Sequence, residues 1–261
     1  MFDYHMHSTV SFDGHASPED MARAALRAGL QEICFTDHVD DDPKRKLDNC
    51  RFSLEAYAAA YDRLKIPALK IRRGMEFGML EDNQPLLREY LSARPFDYVI
   101  GSVHFADDED VYYPSYWQNR TVLEGERQYL MDMLRCVCAH DEFDVLGHLT
   151  YISKASSHPT SWPVDYMAHQ EVVDEILRTL VRKGKGIEIN TSGLDRCGDF
   201  LPGEVYVHRF RELGGEIITV GSDAHDTRRV GQYLDRACAI AKEIFGYVCT
   251  FQERKPIFHK L

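Results

Sequence analysis

No run of roughly 18 apolar residues occurs in the 261-residue chain, which excludes an ordinary membrane-spanning helix. The opening residues, Met1-Phe2-Asp3-Tyr4-His5, lack the basic and apolar regions of a secretory signal. A cytoplasmic protein with no membrane partner is the expectation. The seven cysteines (34, 50, 136, 138, 197, 238 and 249) include no Cys-x-x-Cys pair, so a zinc ribbon or a dithiol redox site is excluded, and reduced, mostly buried thiols are expected. Positive charge is scarce: 31 Lys and Arg stand against 42 Asp and Glu, a net charge of −11. No block of Lys and Arg compensates locally, which disfavours nucleic acid as a partner. Linkers, repeats and low-complexity segments are lacking as well, and the expectation is one domain over residues 1–261.

What the chain does have is a steady alternation of short β-branched runs and longer helical patterns. The expected strands are Phe2–His5, Glu32–Thr36, Lys70–Glu76, Tyr98–Val103, Val145–His148, Gly186–Asn190 and Glu216–Gly221. Helices are expected over Met21–Ala28, Leu54–Leu64, Val122–His140, Asp165–Arg182 and Glu204–Leu213. Ser17-Pro18-Glu19-Asp20 reads as a cap, a first-turn proline and two acids that suit the helix dipole. Ser53 is the expected cap of the next helix, and Gly29, Gly184 and Gly214 stand where helices should end. Seven such units predict an α/β fold closed as a (β/α)7 barrel, with a doubly wound open sheet as the competing architecture. The stretch Phe105–Arg120, rich in Asp, Tyr and Trp, is too long for an ordinary connection and is expected to be functional.

Nearly every expected strand runs into a residue that binds metal well. These are His5 and His7 with Asp13 after strand one, His38 after strand two, Glu76 on strand three and His104 on strand four. His148 follows on strand five, with Asp223 and His225 on strand seven. Parallel strands of a barrel bring their C-terminal ends to one face. Residues two apart on a strand share a side, so His5 with His7 and Asp223 with His225 should aim at the barrel axis together. Six imidazoles and three carboxylates exceed the needs of a single ion, and two or three ions bridged by carboxylates fit better. A donor set without thiolate suits Zn, Mn or Fe over Ca or Mg. The remaining histidines, 15, 140, 158, 169, 208 and 259, are expected at the surface, His15 being the partial exception because of its closeness to Asp13.

His5-Met6-His7-Ser8, Asp13-Gly14, Thr36-Asp37-His38, Gly74-Met75-Glu76, Ser102-Val103-His104, Gly147-His148 and Ser222-Asp223-Ala224-His225 resemble, in order, the motifs of the polymerase and histidinol phosphatase (PHP) family. That resemblance implies a distorted (β/α)7 barrel with the metal site at the C-terminal ends of its strands. It also implies a centre of three divalent ions held by His5, His7, Asp13, His38, Glu76, His104, His148, Asp223 and His225. Gly101-Ser102-Val103-His104-Phe105, Glu188-Ile189-Asn190-Thr191-Ser192-Gly193-Leu194 and the closing Phe251–Pro256 are similar to the branch that hydrolyses histidinol phosphate in histidine biosynthesis. The implied substrate is a small phosphorylated metabolite.

On that reading Glu76, Asp223 and His15 are the candidate catalytic groups, Glu76 bridging two ions and His15 protonating the leaving alkoxide or bonding the phosphate. Arg196 and Lys154 are the candidate phosphate clamps. Three divalent ions against three carboxylates leave about three positive charges to attract a phosphate dianion, whatever the net charge of the surface. The Phe105–Arg120 loop offers Asp107, Asp108, Glu109, Asp110, Tyr112, Tyr113, Tyr116 and Trp117 to the amine and imidazole of such a substrate. A nuclease or nucleotide phosphatase on the same platform is the competing activity. A non-catalytic metal module, as in some polymerases, is the competing class, and the complete ligand set speaks against it.

Overall fold

A computed structural model describes residues 1–44, 50–155, 157–160 and 162–261. Seven parallel strands follow one another around a barrel: β1 (Phe2–Asp3), β2 (Glu32–Phe35), β3 (Lys70–Gly78), β4 (Tyr98–Ser102), β5 (Val145–Leu146), β6 (Gly186–Asn190) and β7 (Ile218–Gly221). Each pairs in parallel with its predecessor in the chain, and a short strand at His38–Val39 adds to the far half of β3. The ring closes where β1 meets β7: Tyr4 N–H donates to Val220 O at 3.0 Å, and Met6 bridges Ala224. This is the expected distorted (β/α)7 barrel, not an open sheet.

Helices α1 (Pro18–Arg27), α2 (Leu54–Tyr61), α3 (Gln84–Ala93), α4 (Val122–Ala139), α5 (Gln170–Arg182), α6 (Glu204–Glu212) and α7 (Leu234–Ile244) follow the successive strands. Ser17 and Ser53 accept from the third backbone N–H of α1 and α2, as their positions predict. Thr121 and Glu124 form a reciprocal capping box at α4. Gly29, Gly184 and Gly214 take positive φ just beyond α1, α5 and α6, where a side chain would be strained. Helices α3 and α7 lie outside the expected set, and neither has a side chain capping its N-terminus. The expected helix start at Asp165 resolves into a 3-10 turn at Met167–His169 ahead of α5.

Two apolar layers hold the barrel. Ile33, Phe35, Met75, Val99, Leu146, Ile187, Ile189 and Val220 face outward into the helices. Inside, Tyr4, Cys34, Tyr98, Ile100, Val145, Cys249 and Phe251 fill the N-terminal end. The last two come from an antiparallel hairpin, β8 (Tyr247–Gln252) and β9 (Lys255–Lys260), which sequence reading had not assigned as strands. Its charged second strand hides the alternation. It acts as a plug: Phe251 packs against Tyr98 in a tilted pair with centroids 4.8 Å apart, its carbonyl accepts from Tyr4 Oη at 3.1 Å, and Arg254 Nε donates to Asp144 at 2.5 Å. Five of the seven thiols are buried, and none is in a disulfide. No helix is long and apolar enough to cross a membrane among the described residues.

Because the plug sits at the end of the barrel away from the histidines, stability and chemistry should separate. Phe251→Ala is expected to lower unfolding free energy by about 3–5 kcal/mol in a denaturant titration, while turnover per folded molecule stays within about twofold of the parent.

Candidate metal centre

At the C-terminal mouth of the barrel, five imidazoles converge on one buried carboxylate. Glu76, fully buried on β3, places Oε2 3.0 Å from His5 Nε2, 3.4 Å from His7 Nε2 and 3.2 Å from His38 Nδ1. Its Oε1 lies 2.8 Å from His148 Nε2 and 3.3 Å from His104 Nε2. Asp223 Oδ1 stands 3.3 Å from His7 Nε2 and 3.6 Å from His5 Nε2. Asp13 Oδ2 lies 3.1 Å from His225 Nε2 and 3.5 Å from His38 Nε2. All nine residues singled out by the sequence therefore meet in one place. Their donor atoms fall into the overlapping sets His7/Asp13/His38/His225, His5/Glu76/His148, His5/His7/Asp223 and, with Asp40 added, His38/Asp40/His104, with atoms of each set within 4.8 Å of one another.

The route by which Asp223 and His225 arrive differs from the expected strand alternation. Strand β7 ends at Gly221, and Asp223 takes a left-handed backbone, φ 53°. Aspartate tolerates that region better than most residues, and its observation at this spot marks stored local strain. Asp3 holds the turn, accepting from Ser222 N–H at 2.9 Å and Ser222 Oγ at 2.6 Å. His225 Nδ1 then lies 2.9 Å from Asp223 O, so an Nδ1–H leaves Nε2 free to face Asp13.

Two further carboxylates line the centre that motif reading missed. Asp40 spans His38 and His104, with each Nδ1 3.2 Å from one of its oxygens. It needs the bare backbone of Gly78 opposite, where a Cβ would fall 1.7 Å from Asp40 Oδ1. Glu188 on β6 contacts His5 Nδ1 at 2.8 Å. The signal for both was present: Asp40 is two residues beyond His38, and Glu188 alternates with two isoleucines.

Nitrogen lone pairs and carboxylate oxygens at these distances repel unless a proton or a cation lies between them. Protons serve in the metal-free chain. Burial works against charging His5, but Glu188, Glu76 and Asp223 together hold its imidazole well above the ordinary value. Burial likewise opposes protonation of His38 and His104, yet Glu76 and Asp13 raise the former, and Asp40 chiefly lifts the latter to about 10. His7 goes the other way, to about 3, through burial and the neighbouring His225 and His38 rings stacked on it at 4.2 and 4.3 Å. Even so, His7 Nε2, His38 Nδ1, His148 Nδ1 and Asp13 Oδ1 are buried without a hydrogen-bond partner. Buried polar atoms left without a partner within an N/O donor set of this kind, His7 Nε2 and His38 Nδ1 beside Glu76 among them, are what divalent cations would satisfy, so the residues present fit a metal centre.

The cleft above the centre encloses about 500 Å³. His15, Lys154, Arg196 and Arg229 line it, with Asp110, Tyr112 and Tyr113 from the long loop. The other loop candidates are corrected. Tyr116 and Trp117 are buried, their Oη and Nε1 bonded to Gly125 O and Ser157 Oγ, Asp107 pairs with Arg120, and Asp108 and Glu109 do not line the cleft. Lys154 leans on Asp223 and donates to Ser192 Oγ at 3.0 Å, and His15 is exposed at the rim. The surface expectation fails for three histidines: His158 and His169 are buried against Glu126, and His140 Nε2 lies 2.8 Å from Leu80 O.

The PHP domain model matches residues 3–192, well over half of the chain. This chain belongs to the PHP family. The histidinol-phosphatase of Lactococcus lactis subsp. lactis is 31% identical over 97% of this chain and 95% of its own length. A crystal structure of histidinol phosphate phosphatase from the same organism, complexed with zinc, L-histidinol and phosphate, superposes with a TM-score of 0.86 at 29% identity, covering 98% of each chain. A Listeria monocytogenes structure at 18% identity and a TM-score of 0.74 shares the fold. As in that zinc-bound relative, the site is built for a metal-dependent phosphatase.

The histidines give the metal-free protein a definite pH response. For His104 the folded value lies above the ordinary 6.5, so its contribution is complete below 6.5 and is lost as pH rises through about 10. His5 and His38 shift in the same direction. Thermal unfolding of chelator-stripped protein should therefore show falling stability between pH 6.5 and 10. Protein loaded with zinc should not show that decline.

Proposed function

We propose that this chain hydrolyses L-histidinol phosphate to L-histidinol and inorganic phosphate as a step in histidine biosynthesis, using three divalent ions of Zn, Mn or Fe. The observation that carries the reading is the lining of the cleft, where the cations Lys154, Arg196 and Arg229 and the acidic and aromatic Asp110, Tyr112 and Tyr113 share one space with Glu76. Asp13, His7, His38 and His225 would hold one ion and His5, Glu76 and His148 a second, while Asp223 would serve beside His5 and His7 and His104 beside His38 and Asp40, with Glu76 as the shared carboxylate. The ions supply Lewis acidity toward the phosphoryl oxygens and a hydroxide nucleophile near neutral pH.

The protein's own groups do the rest. Adding Asp40 and Glu188 to Asp13, Glu76 and Asp223 gives five buried or half-buried carboxylates, so three divalent ions leave a surplus of only about one positive charge. That is smaller than the three ligand carboxylates alone suggest. Holding a phosphate dianion thus falls in large part to Arg196 and Arg229 at the rim, whose guanidinium groups match phosphate oxygens in pairs. Lys154 joins them once a cation takes its place on Asp223. In the same cleft, Asp110 would meet the substrate ammonium and Tyr112 or Tyr113 its imidazole ring. His15, which lines the cleft, would donate a proton to the departing alkoxide or a hydrogen bond to the phosphate.

Arg196→Ala is expected to lower kcat/KM for histidinol phosphate about 100-fold, or on the order of 2.7 kcal/mol of transition-state binding, while bound metal stays at the parent level. Phosphate release assayed on histidinol phosphate beside nucleoside monophosphates and a short oligonucleotide tests the substrate assignment. Preference for either nucleotide substrate would overturn it.

A further inference from the structure

The strand Gly186-Ile187-Glu188-Ile189-Asn190 alternates strictly. Ile187 and Ile189 point outward into the helical layer, while Glu188 and Asn190 point into the barrel beneath the metal centre. A glutamate 1% exposed inside a barrel is costly unless its charge is compensated. Among the described residues no lysine or arginine pairs with Glu188. Its oxygens are instead spent on the metal centre's own scaffold. Oε1 lies 2.8 Å from His5 Nδ1. Oε2 accepts from the His148 backbone N–H at 3.0 Å and from Asn190 Nδ2 at 3.1 Å. The strand next door makes room: a Cβ on Gly221 would fall 2.3 Å from Glu188 Oε1 and 2.3 Å from His5 Cβ.

We infer that Glu188 is the positioning residue that commits His5 to the tautomer able to bind metal, and that it fixes the backbone of His148 at the same time. This rests on reading the nine-donor cluster as a metal centre. An imidazole presents a lone pair on only one nitrogen when neutral. With the proton held on Nδ1 by Glu188, the lone pair of His5 sits on Nε2, which aims at Glu76 Oε2 and Asp223 Oδ1 at 3.0 and 3.6 Å. A proton on Nε2 instead would block that position. The negative charge of Glu188 also makes Nε2 a better donor, and the bond to His148 N–H ties a second Glu76 neighbour to the same carboxylate.

The test is zinc affinity, measured by competition with a chromophoric chelator, alongside the melting temperature of the metal-free protein. In Glu188→Gln the amide NH2 donates to His5 Nδ1 and drives the proton to Nε2. The expected result is zinc binding about 10- to 100-fold weaker with the metal-free fold still cooperative and its melting temperature within a few degrees of wild type. Wild-type zinc affinity in that variant would overturn the inference, as would a loss of metal-free stability with affinity unchanged. A second measurement needs no substitution: long-range 1H–15N correlation spectra of zinc-loaded wild-type protein should show His5 protonated on Nδ1 and ligating through Nε2. The reverse assignment overturns the proposal even where the Gln variant does not fold. Wild-type protein that takes up no zinc removes both the metal reading and this one. A protein that binds zinc but ignores histidinol phosphate removes only the substrate assignment.

Discussion

A single carboxylate facing five imidazoles is the constraint around which this molecule is arranged. Glu76 has no exposure to water, and both of its oxygens look at histidine nitrogens contributed by four other segments of the chain. Neutral imidazoles and carboxylates in that number cannot all satisfy one another with the protons available. The barrel brings them together regardless, because its apolar outer layer and its plugged N-terminal end provide the stability that the mouth lacks. Strain at Asp223 and the truncated strands β1 and β5 belong to the same pattern: regular structure gives way where side chains must be aimed.

Charge at the mouth is balanced more finely than a count of motif residues suggests. Asp40 and Glu188 add negative charge next to the ligands and at the same time fix ring orientation, which is the usual part of outer-shell carboxylates around metal-bound histidine. On the proposed function, their presence would shift the burden of anion recognition to Arg196, Arg229 and Lys154, which line the cleft. Asp195 in turn collects Arg229, Gln232 and Tyr233 within 3.0, 3.3 and 2.8 Å and so braces the turn that carries Arg196.

Much of this was legible in the sequence, for definite reasons. Strand–helix rhythm and caps at Ser17 and Ser53 are local properties, and they appear in the structure close to where they were read. Eight of the nine donors could be picked out because they lie at or just past a strand end, which a parallel barrel gathers, and Asp13 because it follows His5 and His7 in the loop after β1. Asp40 and Glu188 were harder: Asp40 lies outside the motifs, Glu188 opens one without being marked as a site residue, and the roles of both come from contacts across strands. The C-terminal plug was missed because Lys255–Lys260 mixes charge with apolar residues, and α3 and α7 were not assigned either. His140, His158 and His169 were misplaced for a related reason: a histidine buried by long-range partners such as Glu126 looks, in sequence, like any surface histidine.

The measurement that bears most directly on this account is crystallographic. Diffraction collected at the zinc absorption edge from zinc-loaded protein should give anomalous peaks about 2.0–2.2 Å from Glu76 oxygens and from the nitrogens of His5 and His7. Peaks at the protein surface alone, with the space around Glu76 free of anomalous density, would contradict it.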